Sequence, residues 1–212
     1  MKTKRHAAGH KLHRLEIALL IGLAASLIWG VWSLGTQREL ADRVVRLHVL
    51  ANSDSEADQA LKLTVRDRVL EVTEPLLEDA GGREEARTAL EAALPRLEQA
   101  AEETIAAAGY DYTVTARLEE TEFPTREYDG FALPAGEYLA LRVVIGAGEG
   151  QNWWCVVFPP LCAAASADVP AVAVAAGLTE DQVSLITEED QGYRLKFKAV
   201  ELWSALRQKL EG

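Results

Sequence analysis

Hydrophobic spacing changes along this chain from the short period of a strand to the longer period of a helix, and the change is clearest between Arg43 and Val69. Val44, Val45, Leu47, Val49 and Leu50 form an apolar, largely β-branched run that predicts a buried or half-buried strand. The polar cluster Asn52-Ser53-Asp54-Ser55 stops it. Ser53 followed by Glu56 predicts a capping box, the hydroxyl taking an orphan helix N–H while the carboxylate reaches back to the cap. Ala57, Leu61, Val65, Val69, Val72 and Leu76 then share one helical face, widened by Leu63, Leu70 and Leu77. Strand, capped turn and amphipathic helix make one unit whose apolar side the rest of the chain must cover.

Gly81-Gly82 ends that helix near Asp79. A second helix is predicted over Arg83 to Ala108, with Ala86, Leu90, Leu94, Leu97, Ala101 and Ile105 as its stripe and Glu84, Glu91, Glu98 and Glu102 opposite. Pro95 removes a backbone hydrogen bond within it and predicts a kink or a break. Tyr110 to Leu118 alternates as a strand with one solvated face. Phe123 to Ala135, with Pro124, Asp129-Gly130 and Pro134, reads as a loop. Tyr138 to Ile145, apart from Arg142, and Trp153 to Phe158 are apolar on both faces, joined by Gly146-Ala147-Gly148-Glu149-Gly150, which reads as a hairpin turn. Such strands lie centrally in a covered sheet or display a sticky surface, and the two early helices suffice for one side. Ala163 to Gly177 gives no clear pattern. Val183 to Ile186 and Tyr193 to Phe197 predict a hairpin, and Val200 to Leu210 a last helix. The expected class is α+β: a single domain over 43–212, with a mostly antiparallel sheet, two early helices and a C-terminal helix.

The amino terminus follows a different rule. Lys2, Lys4, Arg5, Lys11 and Arg14 precede the uncharged run Ile17 to Leu34, a basic flank and apolar core that predict export. At ~1.5 Å per residue the run spans roughly 27 Å, against a ~30 Å hydrocarbon layer. It reads as a signal peptide or a retained transmembrane anchor over 1–35, with a linker over 36–42. The chain carries −11 overall while this flank is net positive, so the expected exported domain is strongly acidic. That argues against nucleic acid and anionic lipid head groups and toward a protein partner.

The chemistry-bearing residues are few. Beyond the first 16 residues the histidine is His48 and the cysteines are Cys155 and Cys162, without the spacing of a zinc site, and neither a metal nor another cofactor is expected. The cysteines, if extended, would stand roughly 23 Å apart where a disulfide needs ~5.5–6 Å, so Pro159-Pro160 would have to bend the chain for them to pair. They read as a disulfide or as two buried thiols. A Cys155 (or Cys162) nucleophile with His48 as base, oriented by Asp54, is the enzymatic alternative, and a cell-wall-binding module is another. No catalytic residue is assigned. Asn52, Ser53 and Asp54, where a strand meets a helix, and the segment Trp153, Trp154, Phe158, Pro159 and Pro160 are the candidate contacts for a partner, the first group serving equally as caps.

RLHVLANSDSEADQALKLTVRD, from Arg46 to Asp67, and NWWCVVFPPLC, from Asn152 to Cys162, closely resemble the stage II sporulation protein R family of endospore-forming bacteria. The resemblance implies a non-enzymatic protein made in the forespore and exported to the space between the two membranes of the sporangium. There it would switch on a membrane-embedded aspartic protease of the mother cell, stage II sporulation protein GA. That protease removes the pro-sequence of the first mother-cell sigma factor. The implied partner is that protease, with the membrane as a second contact if the amino-terminal segment is retained, and neither nucleic acid nor a small-molecule substrate is implied.

Overall fold

Strand β1 (Val45–Leu50) is buried along its whole length, as its apolar run requires, and lies inside a four-stranded sheet. The computed structural model describes residues 17, 19–22, 24, 38–128, 130–161 and 169–187. Residues 1–39 and 40–212 form separate compact units. In the first, Ile17 and Leu19 to Ile21 are helical and exposed. Among the described residues no helix is long and apolar enough to cross a membrane, and most of the Ile17 to Leu34 run lies outside them.

In the second unit β1 is followed by α1 (Glu56–Leu77), α2 (Arg83–Ala107), β2 (Val114–Phe123), β3 (Arg126–Tyr128), β4 (Phe131–Leu133), β5 (Gly136–Ile145), β6 (Asn152–Phe158), α3 (Val169–Ala175) and α4 (Glu180–Thr187). The sheet order is β2-β5-β1-β6, with β1 parallel to β5 and the other pairs antiparallel. This is the expected α+β architecture with a mostly antiparallel, mixed sheet. α1 and α2 cover one face: Leu61, Val65, Val69 and Val72 of α1 and Leu90, Leu97, Ala101 and Ile105 of α2 pack with Leu47, Val49, Leu141 and Val143. The expected stripe of α1 is corrected at its start, where Ala57 is exposed and Asp58 and Lys62 are buried.

Several expectations need correction. Pro95 does not break α2; it sits on the exposed side, where the carbonyl it leaves free can reach water while Leu90, Ala93 and Leu97 hold the buried side. Tyr110 and Tyr112 precede β2 instead of opening it, because the Tyr110 N–H bonds back to the Ile105 carbonyl at 3.1 Å and ties the segment to the helix end. The presumed loop Phe123 to Ala135 contains the β3–β4 hairpin, Phe131 and Leu133 pointing into a second core. Val183 to Ile186 is helical, in α4: the Gln182 N–H donates to Thr179 Oγ1 at 3.2 Å and the Thr179 N–H to Gln182 Oε1 at 3.0 Å. Thr179 and Gln182 thus form a reciprocal capping box, a signal present in the sequence and outweighed by the apolar run after it. The expected strand Tyr193 to Phe197 and helix Val200 to Leu210 lie outside the described residues.

The opposite face of the sheet is also covered, which decides between the two readings of its apolar strands. Leu40, Val44, Phe123, Tyr138, Ala140 and Val156 pack with Phe131 and Leu133 of the hairpin, Val169 and Ala173 of α3, and Val183 and Ile186 of α4. Leu40, within the expected linker, is fully buried there. The free edge of β2 is closed by α2: Glu98 Oε1 accepts the Ala116 N–H at 2.8 Å and Glu102 Oε1 the Val114 N–H at 3.1 Å. Those glutamates shield a strand edge that would otherwise invite pairing with another chain.

Candidate functional site

The loop Asn52-Ser53-Asp54 lies at the carboxyl end of β1, and the glycine-rich segment 146–150 crosses directly over it. Because β1 stands between β5 and β6, that segment is not a hairpin turn between paired strands, and the expectation is corrected. It is instead a crossing tied down along its length. Asn52 Oδ1 accepts the Ala147 N–H at 2.9 Å, the Asn52 carbonyl the Glu149 N–H at 3.2 Å, the Ala51 carbonyl the Gly150 N–H at 3.0 Å, and Asp54 Oδ1 the Gln151 N–H at 2.8 Å. Gly146 has φ +55°, and a Cβ there would collide with the Asn52 side chain; at Gly150 it would meet the Ser53 carbonyl. The glycines are required by how closely two backbones approach, not by a phosphate.

Beneath the crossing sits Asp58, nearly buried, with its carboxylate accepting Ser53 Oγ–H at 2.6 Å and Asn52 Nδ2–H at 3.0 Å. These bonds, from Ser53 first and then Asn52, hold its pKa below the usual carboxylate value. The helix cap itself is Ser55, which accepts the Asp58 N–H at 3.1 Å. The expected Ser53 and Glu56 capping box is therefore displaced: both serines fit the motif, but α1 starts at Glu56, and Ser53 is used by Asp58. Lys62 Nζ, also buried, donates to the Gln151 carbonyl at 2.9 Å and to Gln59 Oε1 at 2.6 Å. Asn52, Ser53 and Asp54 thus spend their side chains locking α1, β1 and the crossing together.

The tryptophan segment divides. Trp153 pairs in register with Val49 and packs on the helix-covered side, where the Arg66 guanidinium lies 4.4 Å from its ring centroid. Trp154 pairs with His48 on the other side, stacked on the imidazole at 5.8 Å, with the Arg126 guanidinium 3.9 Å from its centroid. Phe158 and Pro159 are buried. The expected contact segment is therefore not one surface: its two tryptophans face opposite ways, and two of its members are committed to the interior.

The same alternation separates the cysteine from the histidine. Cys155 pairs with Leu47 in the helix-side core, whereas His48 faces the other layer, its Nε2 2.6 Å from Asn152 Oδ1. Cys155 is disulfide-bonded, and Cys162 lies outside the described residues. A Cys155–His48 dyad oriented by Asp54 is thereby corrected, since the sheet stands between thiol and imidazole and Asp54 is engaged at the crossing. Burial lowers the pKa of His48. Among the described residues no group of three or more His, Cys, Asp and Glu is placed to hold a metal ion.

Residues that the sequence reading passed over stand around His48. Arg46 is completely buried, its Nη2 donating to Tyr128 Oη at 2.5 Å and its guanidinium 4.1 Å from the Phe123 centroid. Arg142, beside His48 in register, donates to Glu119 at 3.0 Å. Arg142 and Arg46 each had a sequence signal, as a charged exception in an otherwise apolar strand; Arg126 had none.

The stage II sporulation protein R family model matches residues 41–168, a stretch that contains the six strands found among the described residues, together with α1 and α2. The chain belongs to that family. Stage II sporulation protein R of Bacillus subtilis (strain 168) is 41% identical to it over 123 residues, which are 58% of this chain and 55% of the relative. The similarity thus spans about half the length of the curated relative. No solved structure matches. In this member of the stage II sporulation protein R family, the crossing and the His48 surroundings fall inside the matched stretch, while α3 and α4 lie beyond it.

Proposed function

We propose that this member of the stage II sporulation protein R family is an exported sporulation signal. It is made in the forespore and presented outside the cytoplasm, in the space between the sporangial membranes. It acts by binding a membrane-embedded aspartic protease of the mother cell, stage II sporulation protein GA, which then removes the pro-sequence of the first mother-cell sigma factor. A ligand shifts such an enzyme only by binding its active arrangement better than its resting one, so the role demands a stable, specific surface and no chemistry of its own. The observation that carries the reading is the family match over 41–168, which takes in the whole sheet and both helices over it. The basic flank and apolar run at the amino terminus support export. The placement of Cys155 and His48 on opposite faces of the sheet weighs against the rival Cys/His hydrolase.

Deleting the gene in its spore-forming host tests the role. The proposal predicts that the pro-form of the mother-cell sigma factor accumulates and that a copy expressed in the forespore restores processing. Normal maturation in the deletion strain would refute it.

A further inference from the structure

On an acidic chain, cations gather on the sheet face turned away from α1 and α2. Register sets Arg117, Arg142, His48 and Trp154 side by side across β2, β5, β1 and β6. One row toward the carboxyl end of β1 stand Thr115 and Val144, and Thr115, Arg117, Arg142 and Val144 line a cavity of about 250 Å³. The far end of the row is extended by Arg126 over the Trp154 ring. Against these cations stands the single ion pair of Arg142 with Glu119; among the described residues neither Arg117 nor Arg126 pairs with a carboxylate. Among the described residues the N–H donors Arg142 Nε and Arg126 Nε are buried without a hydrogen-bond partner.

Buried polar nitrogens normally find partners, because leaving one unmade costs its full desolvation. Two such N–H donors, both on arginines of one row, leave that row short of acceptors. Adjacent strands lie ~4.8 Å apart, so from β2 to β6 the row spans roughly 14 Å, several times the width of one carboxylate. Arginine forks suit carboxylates in two-point contacts, and the Trp154 ring, with the Arg126 guanidinium over it, holds that fork at the end of the row. A long polyanion would meet the acidic remainder of the chain; a short segment with a few carboxylates would not.

We propose that this row is a binding site for an acidic peptide segment, with Arg117 and Arg142 holding one side-chain carboxylate in the cavity and Arg126 with Trp154 receiving the next. The site stands independently of the sporulation role, because binding and protease activation are separate measurements.

Titrating the full-length chain in detergent micelles with N-acetyl-Glu-Glu-Glu-amide, followed by calorimetry, tests it. The expected result is saturable one-to-one binding that weakens with salt and falls at least about tenfold in the Arg117→Gln/Arg142→Gln variant. Arg87→Gln, an exposed charge on α2, should bind as the native chain does. Thermal melting verifies that the double variant is folded; if it is not, Arg117→Gln alone, at an exposed position, is expected to show a smaller loss in the same direction. Absence of saturable binding, equal affinity in the folded arginine variants, or equally tight binding of N-acetyl-Gln-Gln-Gln-amide or inorganic phosphate would overturn the proposal.

Discussion

Beneath α1 and α2, β1 presents Val45, Leu47 and Val49 to Val65, Leu97 and Ile105; two-residue alternation then turns Arg46 and His48 of the same strand to the opposite layer. One face of the sheet is filled by aliphatic groups that need only close packing. The other accommodates a fully buried guanidinium by setting it against the rings of Phe123 and Tyr138 and donating a bond to Tyr128, with no carboxylate paired to it among the described residues. The contrast teaches that the two layers owe their stability to different terms. Burial of apolar area dominates the first, while the second sets aromatic contacts and a hydrogen bond against the desolvation of a charge. The second face is therefore the one with free polar capacity, and recognition is best sought there.

Substitutions on each face test this. The largest effect is expected from Leu141→Ala, fully buried on the helix side, which should lose about 3–4 kcal/mol in urea unfolding through lost transfer energy and a residual cavity. A loss under about 1 kcal/mol would mean that this layer is not closely packed. Asn52→Ala leaves the Ala147 N–H without its acceptor and takes a donor from Asp58, so about 2 kcal/mol should be lost, with Trp153 and Trp154 keeping their emission. Arg46→Met is the sharpest test of the comparison. The desolvation cost disappears along with the aromatic and Tyr128 contacts, so stability should stay within about 1 kcal/mol of the native chain. A loss matching that of Leu141→Ala would put the two faces on the same footing.

The smallest effect is a dependence on pH. Burial holds the folded pKa of His48 below its ordinary 6.5, so the unfolded chain binds the proton more readily. The stability from its neutral form is complete above that value and declines as pH falls below it. His48→Gln should flatten the stability profile immediately below pH 6.5 in thermal melts. Asp58 works lower on the scale: its folded pKa is depressed by Ser53 and Asn52, so its contribution is present above 3.8 and is lost on further acidification. An identical slope in native and variant chains between those limits would show that His48 binds its proton equally well in the folded and unfolded chains.

Much of the fold was legible in local periodicity. The stripes of α1 and α2, the strands β1, β5 and β6, and the α+β class follow from which residues must be buried. What local pattern does not contain is register between distant segments. β1 enters between β5 and β6, which turns the apparent hairpin at 146–150 into the crossing over Asn52 and sets Arg117, Arg142, His48 and Trp154 in one row. That row joins residues up to 106 positions apart in the sequence, from His48 to Trp154. The capping error is different in kind: Ser53 and Ser55 both satisfy the motif, and the choice is made by Asp58, which needs Ser53 as a donor. α4 was misread because a short apolar run carries no period of its own, and Thr179 with Gln182 decides it. Grouping Trp153 with Trp154 ignored the strand's own alternation, which was available from the sequence.

The central claim, that the chain signals by presenting a folded surface to a protease, is tested most directly by adding the full-length chain to membranes that carry the aspartic protease and its pro-sigma substrate. Loss of the pro-sequence should appear only when chain and protease are both present, and should persist with His48→Gln. Cleavage by the chain alone, or none with all components folded and present, would contradict the account.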